Sequence, residues 1–258
     1  MMEEGLIMQI DITFVPHEDK LLLPLPYNQV VQGFIYNHLD YALSSWLHDE
    51  AYEYKRRRFK LFIFGRLTGK YAIKEKMIEF QGPTSLAVRS VNNDVLSSFA
   101  QHLLKKKEVI LGKTPCTILN ISLTPDPDID FSKPVRLKAL SPVTVYSTLR
   151  TFDGRKKTYY YSPMESDWEN QVLENLIRKS QAISEIKGNH LPNNVWIRPK
   201  NIKTSHMKIL TFKNTIIKGW MGMYEVFLPK EFFLLGYNGG FGAKNSQGFG
   251  TMEVISNA

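Results

Sequence analysis

"TPDPDIDFSKP", residues 124–134, places three prolines and three aspartates in eleven positions near the middle of a 258-residue chain. Proline fixes φ and offers no backbone N–H, so this run interrupts both strands and helices. It reads as a linker over 125–134 that separates a domain at 1–124 from a domain at 135–258. The alternation of Asp126, Asp128 and Asp130 has the spacing of a calcium loop. Such a loop needs Gly at its sixth position and Glu at its twelfth, where this chain has Phe131 and Leu137, so no metal is assigned.

The same order of elements is expected on both sides of the linker. Before it, "LIMQIDITFVP" (6–16) alternates as a strand does, and Pro26 introduces a helix over Asn28 to Leu47. "FKLFIFGRL" (59–67) and "SLAVRSV" (85–91) read as strands, with "KYAIKEKMIEFQG" as a hairpin arm between them. "NNDVLSSFAQHLLKKK" is an amphipathic helix with lysines at its C-terminal end, and "CTILNISL" closes the half. After the linker come a strand pair at 135–149, a helix at 166–184 and strand pairs near 195–212 and 215–228. A short helix after Pro229 and a final strand complete that half. Two successive β-α-β-β-α-β units predict an α+β protein of tandem ferredoxin-like (RRM-like) domains ending in a glycine-rich loop.

Basic residues number 33 against 25 acidic, a net charge of +8. That excess favours an anionic partner, nucleic acid or a membrane surface. Cys116 is the one cysteine, which excludes an internal disulfide and a cysteine-based zinc site. No apolar run reaches membrane-spanning length, and "MMEEG" lacks a basic signal-peptide flank. The expectation is a cytoplasmic protein with no membrane partner.

"GFGAKNSQGFG" (240–250) holds four glycines. Lys244 is preceded by Ala243 and followed by Asn245, which fails the Walker pattern; a dinucleotide fingerprint would follow a strand and open a helix, the reverse of the order here. "QGFGTMEV" (247–254) shares the Gly-Phe-Gly of an RNA-recognition strand, but Thr251 and Val254 occupy the stacking positions. A plain turn and a glycine hairpin whose amides approach a polyanion both remain open on the local sequence.

Four stretches in order, "LPYNQVVQGFIYNHL", "LSPVTVYS", "YYYSPMESDWEN" and "GYNGGFGAKNSQGFG", resemble the CRISPR-associated repeat-RNA endoribonucleases of the RAMP superfamily. The likeness spans nearly the whole chain. It implies two ferredoxin-like domains facing across a cleft and metal-independent cleavage of precursor transcripts within CRISPR repeats. Attack by the 2′-hydroxyl would leave 2′,3′-cyclic phosphate and 5′-hydroxyl ends. The partners implied are CRISPR repeat RNA, as precursor and processed guide, with an effector complex of CRISPR-associated proteins and a homodimer as further assemblies. No cofactor is expected. The competing readings are a RAMP subunit that binds repeat RNA without cutting it, and a basic two-domain protein that binds another structured RNA.

The resemblance implies catalytic roles for Tyr36 of "FIYN", His48 of "WLHDE" and Lys60 of "FKLF". A histidine titrates near working pH, and a lysine can steady phosphorane charge. On one regular helix His38 would fall in the stripe of Val31, Ile35, Ala42 and Trp46, as a core histidine, while Tyr36 would fall on the opposite face with Gln32 and Asp40. His48, in a polar stretch at the helix end, is therefore preferred over His38. Strand alternation would point Lys60 away from Phe59 and Leu61. RNA contacts are expected from Arg56, Arg57 and Arg58, and in the loop from Gly240, Gly242, Lys244, Asn245, Ser246, Gly248 and Gly250. His17, His102, His190 and His206 have no metal-ligand spacing and stay unassigned.

Overall fold

The protein is described by a computed structural model covering residues 8–150, 152–183 and 191–257. Residues 6 and 7 of the expected first strand, residue 184 of the expected helix and His190 lie outside the described residues.

The first half runs β1 (Met8–Pro16), β2 (Lys20–Pro24), α1 (Asn28–Asn37), α2 (Tyr41–Asp49), β3 (Tyr52–Tyr54), β4 (Arg57–Phe59), β5 (Phe62–Phe64), β6 (Thr68–Lys74), β7 (Met77–Ser90), α3 (Asn93–Leu104), β8 (Glu108–Leu111) and β9 (Thr114–Pro125). β1 lies antiparallel between β7 and β9, with Ile10 opposite Val88 on one side and Leu123 on the other. β5 and β6 share the outer edge of β7, and β2 continues the edge occupied by β1. Ile10, Ile12 and Phe14, alternate residues of β1, are fully buried. They pack with Val31, Phe34 and Ile35 of α1 and Phe99 of α3, burial that stabilises by roughly 1.5–3 kcal/mol per large side chain.

The second half runs β10 (Val135–Ala139), β11 (Tyr146–Arg150), β12 (Lys156–Tyr160), α4 (Asp167–Ala182), β13 (Trp196–Lys200), β14 (Met207–Phe212), β15 (Thr215–Trp220), β16 (Met223–Phe227), α5 (Lys230–Gly239) and β17 (Met252–Asn257). Its sheet has the order β13-β16-β10-β17. In both halves the first strand thus sits between two later antiparallel strands, β1 between β7 and β9 and β10 between β16 and β17, the ferredoxin-like arrangement. Two hairpins, β11–β12 and β14–β15, stand outside this sheet. Trp168 of α4 stacks on Tyr224 of β16 at 5.4 Å in the core.

Several expected boundaries move. The helix expected over 28–47 is two helices, because Asp40 accepts a hydrogen bond from the Ala42 N–H at 2.9 Å and starts α2 afresh. The expected arm at 70–82 is a hairpin of β6 and the start of β7, and its second part joins the strand expected at 85–91 in one 14-residue strand, β7. The pair expected at 135–149 is divided, with β10 central in the sheet and β11 paired to β12.

The segment read from sequence as a linker is tied down. Ile129 is buried in the second core, and the Asp126 carboxylate accepts from Asn238 Nδ2 at 3.2 Å. The halves also meet through Arg89 of β7, which donates to Gln9 Oε1 and to the Met252 carbonyl at 2.6 Å each and lies 3.9 Å from the Tyr237 ring. Leu61, Ile183 and Leu235 form a small apolar cluster between them.

Candidate nucleic-acid interface

Tyr36 and His48 each lie one residue before the end of their helices, α1 and α2. The break at residues 38–40 folds the second helix back so that their rings lie 6.3 Å apart, edge to face at 80°. A single regular helix could not do this, and Ala42, expected in the apolar stripe, is exposed. His38 caps α1 and is buried. Its Nδ1–H donates to the Phe34 carbonyl at 2.8 Å, and burial holds its pKa below the ordinary imidazole value. Those contacts are those of a neutral core histidine.

His48 is exposed. Its Nδ1 lies 2.6 Å from Asp49 Oδ1, and because a carboxylate only accepts, Nδ1 carries the proton and Nε2 faces away. The Tyr36 hydroxyl is buried, not at the surface, and has no hydrogen-bond partner among the described residues; burial raises its pKa above the ordinary phenol range. It is therefore a neutral, uncommitted donor.

Lys60 joins them from the other side. Its Nζ donates to the Leu47 carbonyl and, at 2.8 Å, to the His48 carbonyl. These are free acceptors at a helix C-terminus, where the dipole favours a cation. Partial burial lowers the Lys60 pKa. Strand alternation does not aim this side chain, since the expected strand at 59–67 is broken between β4 and β5. There Leu61 takes a left-handed φ of +49°, a conformation costing on the order of 1–3 kcal/mol for a non-glycine residue.

Lys60 also lines a cleft of about 440 Å³ between the halves. Arg57 and Arg58 enter from the β3–β4 hairpin, Arg178 and Lys179 from α4, and Lys244 from the glycine-rich loop. Arg56 is exposed in the hairpin turn, where it and Lys55 both have positive φ. The basic run at 54–60 is thus a hairpin, made with a turn that ordinarily uses Asn-Gly.

The glycine-rich loop is held from within. Lys179 Nζ donates to the carbonyls of Gly240 and, at 3.0 Å, Gly242, and to Asn245 Oδ1 at 2.7 Å. Asn245 Nδ2 donates in turn to the Phe249 carbonyl at 2.9 Å. At Gly250, φ is +79° and an added Cβ would sit 2.0 Å from the Phe241 carbonyl oxygen. Gly240, Gly242, Gly248, Gly250 and Asn245 are all buried, while Lys244 and Ser246 are partly exposed. The first half grips the loop as well: Asn28 Nδ2 donates to the Gln247 carbonyl at 2.8 Å and Gln32 Nε2 to the Ser246 carbonyl at 2.6 Å.

The sequence alone does not mark Asn28 or Gln32 as loop-holding residues. Lys179 does leave a signal, because it continues, at i+11, the i, i+4, i+8 stripe of Trp168, Val172 and Leu176, where a lysine has no solvent to reach. Burial pushes its pKa down to about 7.

A family model described as CRISPR associated protein Cas6, C-terminal, matches residues 123–254, half of the chain. A Methanocaldococcus jannaschii protein named CRISPR-associated endoribonuclease Cas6 1 is 29% identical over 232 residues, covering 85% of this chain and 87% of that one. Among solved structures, a Cas6-related protein from Pyrococcus furiosus superposes with a TM-score of 0.80 at 20% identity, covering 97% of this chain and 99% of that one. One described as a RAMP protein binding different RNA substrates superposes with a TM-score of 0.78 at 21% identity, over 96% of this chain and all of that one. No helix among the described residues is long and apolar enough to cross a membrane.

Proposed function

The chain belongs to the CRISPR-associated Cas6 family, and on that premise we propose that it is an endoribonuclease that binds CRISPR repeat RNA and cuts the precursor within its repeats. The proposed reaction is metal-independent transesterification. The 2′-hydroxyl gives up its proton as its oxygen attacks phosphorus, the bond to the 5′-oxygen breaks and that oxygen takes a proton, so the products are a 2′,3′-cyclic phosphate and a 5′-hydroxyl.

The observation that carries this reading is the meeting of Tyr36, His48 and Lys60 beside a basic cleft. His48 transfers a proton through Nε2, since Asp49 occupies Nδ1. Lys60, already fixed by two carbonyls, offers its remaining N–H to the charge that develops on the phosphorane. Tyr36 stays neutral, and for it to orient a phosphate oxygen or the 2′-hydroxyl its hydroxyl, buried here, must become accessible when RNA binds. Arg56, Arg57, Arg58, Lys244 and Ser246 supply backbone contacts to the RNA, and Asn245 and the four glycines keep the loop in the shape that presents them.

Single-turnover cleavage of a repeat RNA by His48→Ala and His38→Ala tests the assignment. His48→Ala is expected to lose about 10²–10⁴ in rate, the usual worth of general acid–base catalysis, with binding nearly intact. Normal cleavage by His48→Ala together with lost cleavage by a folded His38→Ala would overturn it. A wild-type chain that binds the repeat but never cuts it would indicate a non-catalytic subunit.

A further inference from the structure

We propose that the β11–β12 hairpin is a second RNA-binding element, a stacking and phosphate-binding track for the single-stranded RNA that leaves the cleft. The proposal rests on the RNA-cleaving reading above and adds a site to it. Antiparallel pairing sets Tyr146 opposite Tyr160, Thr148 opposite Thr158 and Arg150 opposite Lys156. Alternation puts these six side chains on one face. Tyr146 and Thr148 of that face line the basic cleft, so the face is a continuation of its wall. From the cleft outward it presents an aromatic pair, then two hydroxyls, then two cations, in rows about 7 Å apart.

Three observations point to an anionic, base-bearing strand. Like charges directly opposite one another weaken a hairpin, yet Arg150 faces Lys156 there, with no carboxylate among the six side chains of these three pairs. The tyrosine nearest the cleft is 36% exposed and carries the Lys244 ammonium 5.0 Å from its ring centroid, which couples a stacking surface to a phosphate donor of the glycine-rich loop. The support beneath is fixed: Tyr160, 5.8 Å from Tyr146, donates its hydroxyl to the Ile216 carbonyl of β15 at 3.0 Å. Aromatic faces and cations arranged in this way accept single strands without reading their sequence.

The test measures binding of repeat RNA and of an unrelated unstructured RNA by fluorescence anisotropy, for wild type, Tyr146→Phe, Tyr146→Leu and Arg150→Ala/Lys156→Ala. Tyr146→Leu is expected to weaken both RNAs about tenfold and Tyr146→Phe to bind as wild type, because only the aromatic face is needed. The double variant should lower the log–log salt slope by roughly 0.7 for each phosphate that it no longer neutralises. Shortening the repeat RNA from one end should bring wild type and Tyr146→Leu to equal affinity once the segment on the hairpin is gone. Wild-type affinity and salt slope in Tyr146→Leu and the double variant, with cleavage intact, would overturn the hairpin site and leave the proposed function standing. A wild-type chain that binds single strands through Tyr146 but leaves repeats uncut would do the reverse.

Discussion

Asn28 and Gln247 are 219 residues apart in sequence and are joined by a 2.8 Å hydrogen bond from the Asn28 amide to the Gln247 carbonyl. That bond, with the one from Gln32 to Ser246, attaches the start of the first helix to the glycine-rich loop. Two of the four stretches that carry the resemblance are thus two sides of one contact. Asn28→Ala and Gln32→Ala should each weaken RNA binding by loosening the loop, though neither side chain is asked to touch RNA. Anisotropy titrations of the two variants check this, with hydrogen exchange at residues 244–248 reporting the loosening.

Gly250→Ala should be the most damaging of the loop's glycine substitutions. The new Cβ would sit 2.0 Å from the Phe241 carbonyl in a left-handed backbone conformation, so the loop must move. Gly82→Ala, also at positive φ but with nothing within 4 Å, is the matched control. Thermal melting should show a fall of several degrees for the first and a small one for the second, and only the first should lose RNA affinity.

Lys179 predicts a pH effect on stability. Its folded pKa is about 7 against an unfolded value near 10.5, so between those values the unfolded chain binds more protons. Its contribution therefore becomes more favourable as pH rises from about 7 towards 10, the burial penalty on the ammonium being fully present below that window. Lys179→Met should remove this slope while leaving the loop carbonyls of Gly240 and Gly242 without their donor. Melting temperatures of both proteins across pH 6 to 10 check the sign.

Affinity for repeat RNA should fall as salt rises, with a slope of roughly 0.7 for each neutralised phosphate. Neutralising Arg56, Arg57, Arg58 and Lys244 together should flatten that slope. An unchanged slope would move the binding surface away from the hairpin and loop, to Lys105–Lys107 as the next basic cluster.

The tandem ferredoxin-like order could be read from the sequence because it rests on alternation and on helix caps, which are local. The position of His48 beside Tyr36 could not be read in the same way. It depends on a helix break at Asp40, and a helical wheel drawn through that break places Ala42 in the core, where it is not. Lys60 is named by resemblance, but its aim comes from positive φ at Leu61 and from the carbonyls of α2. The inward role of Asn245 and the loop glycines depends on Lys179, 60 residues and more away in sequence. No periodicity encodes a contact of that kind.

The most direct measurement is single-turnover incubation of wild-type protein with a repeat RNA and with the same RNA carrying one 2′-deoxy nucleotide at the cut site, both in EDTA. The account predicts undiminished cleavage of the all-ribose RNA to 2′,3′-cyclic phosphate and 5′-hydroxyl ends, and no cleavage of the deoxy RNA, because its nucleophile is missing. Cleavage of the deoxy RNA, or loss of all-ribose cleavage in EDTA, would contradict it.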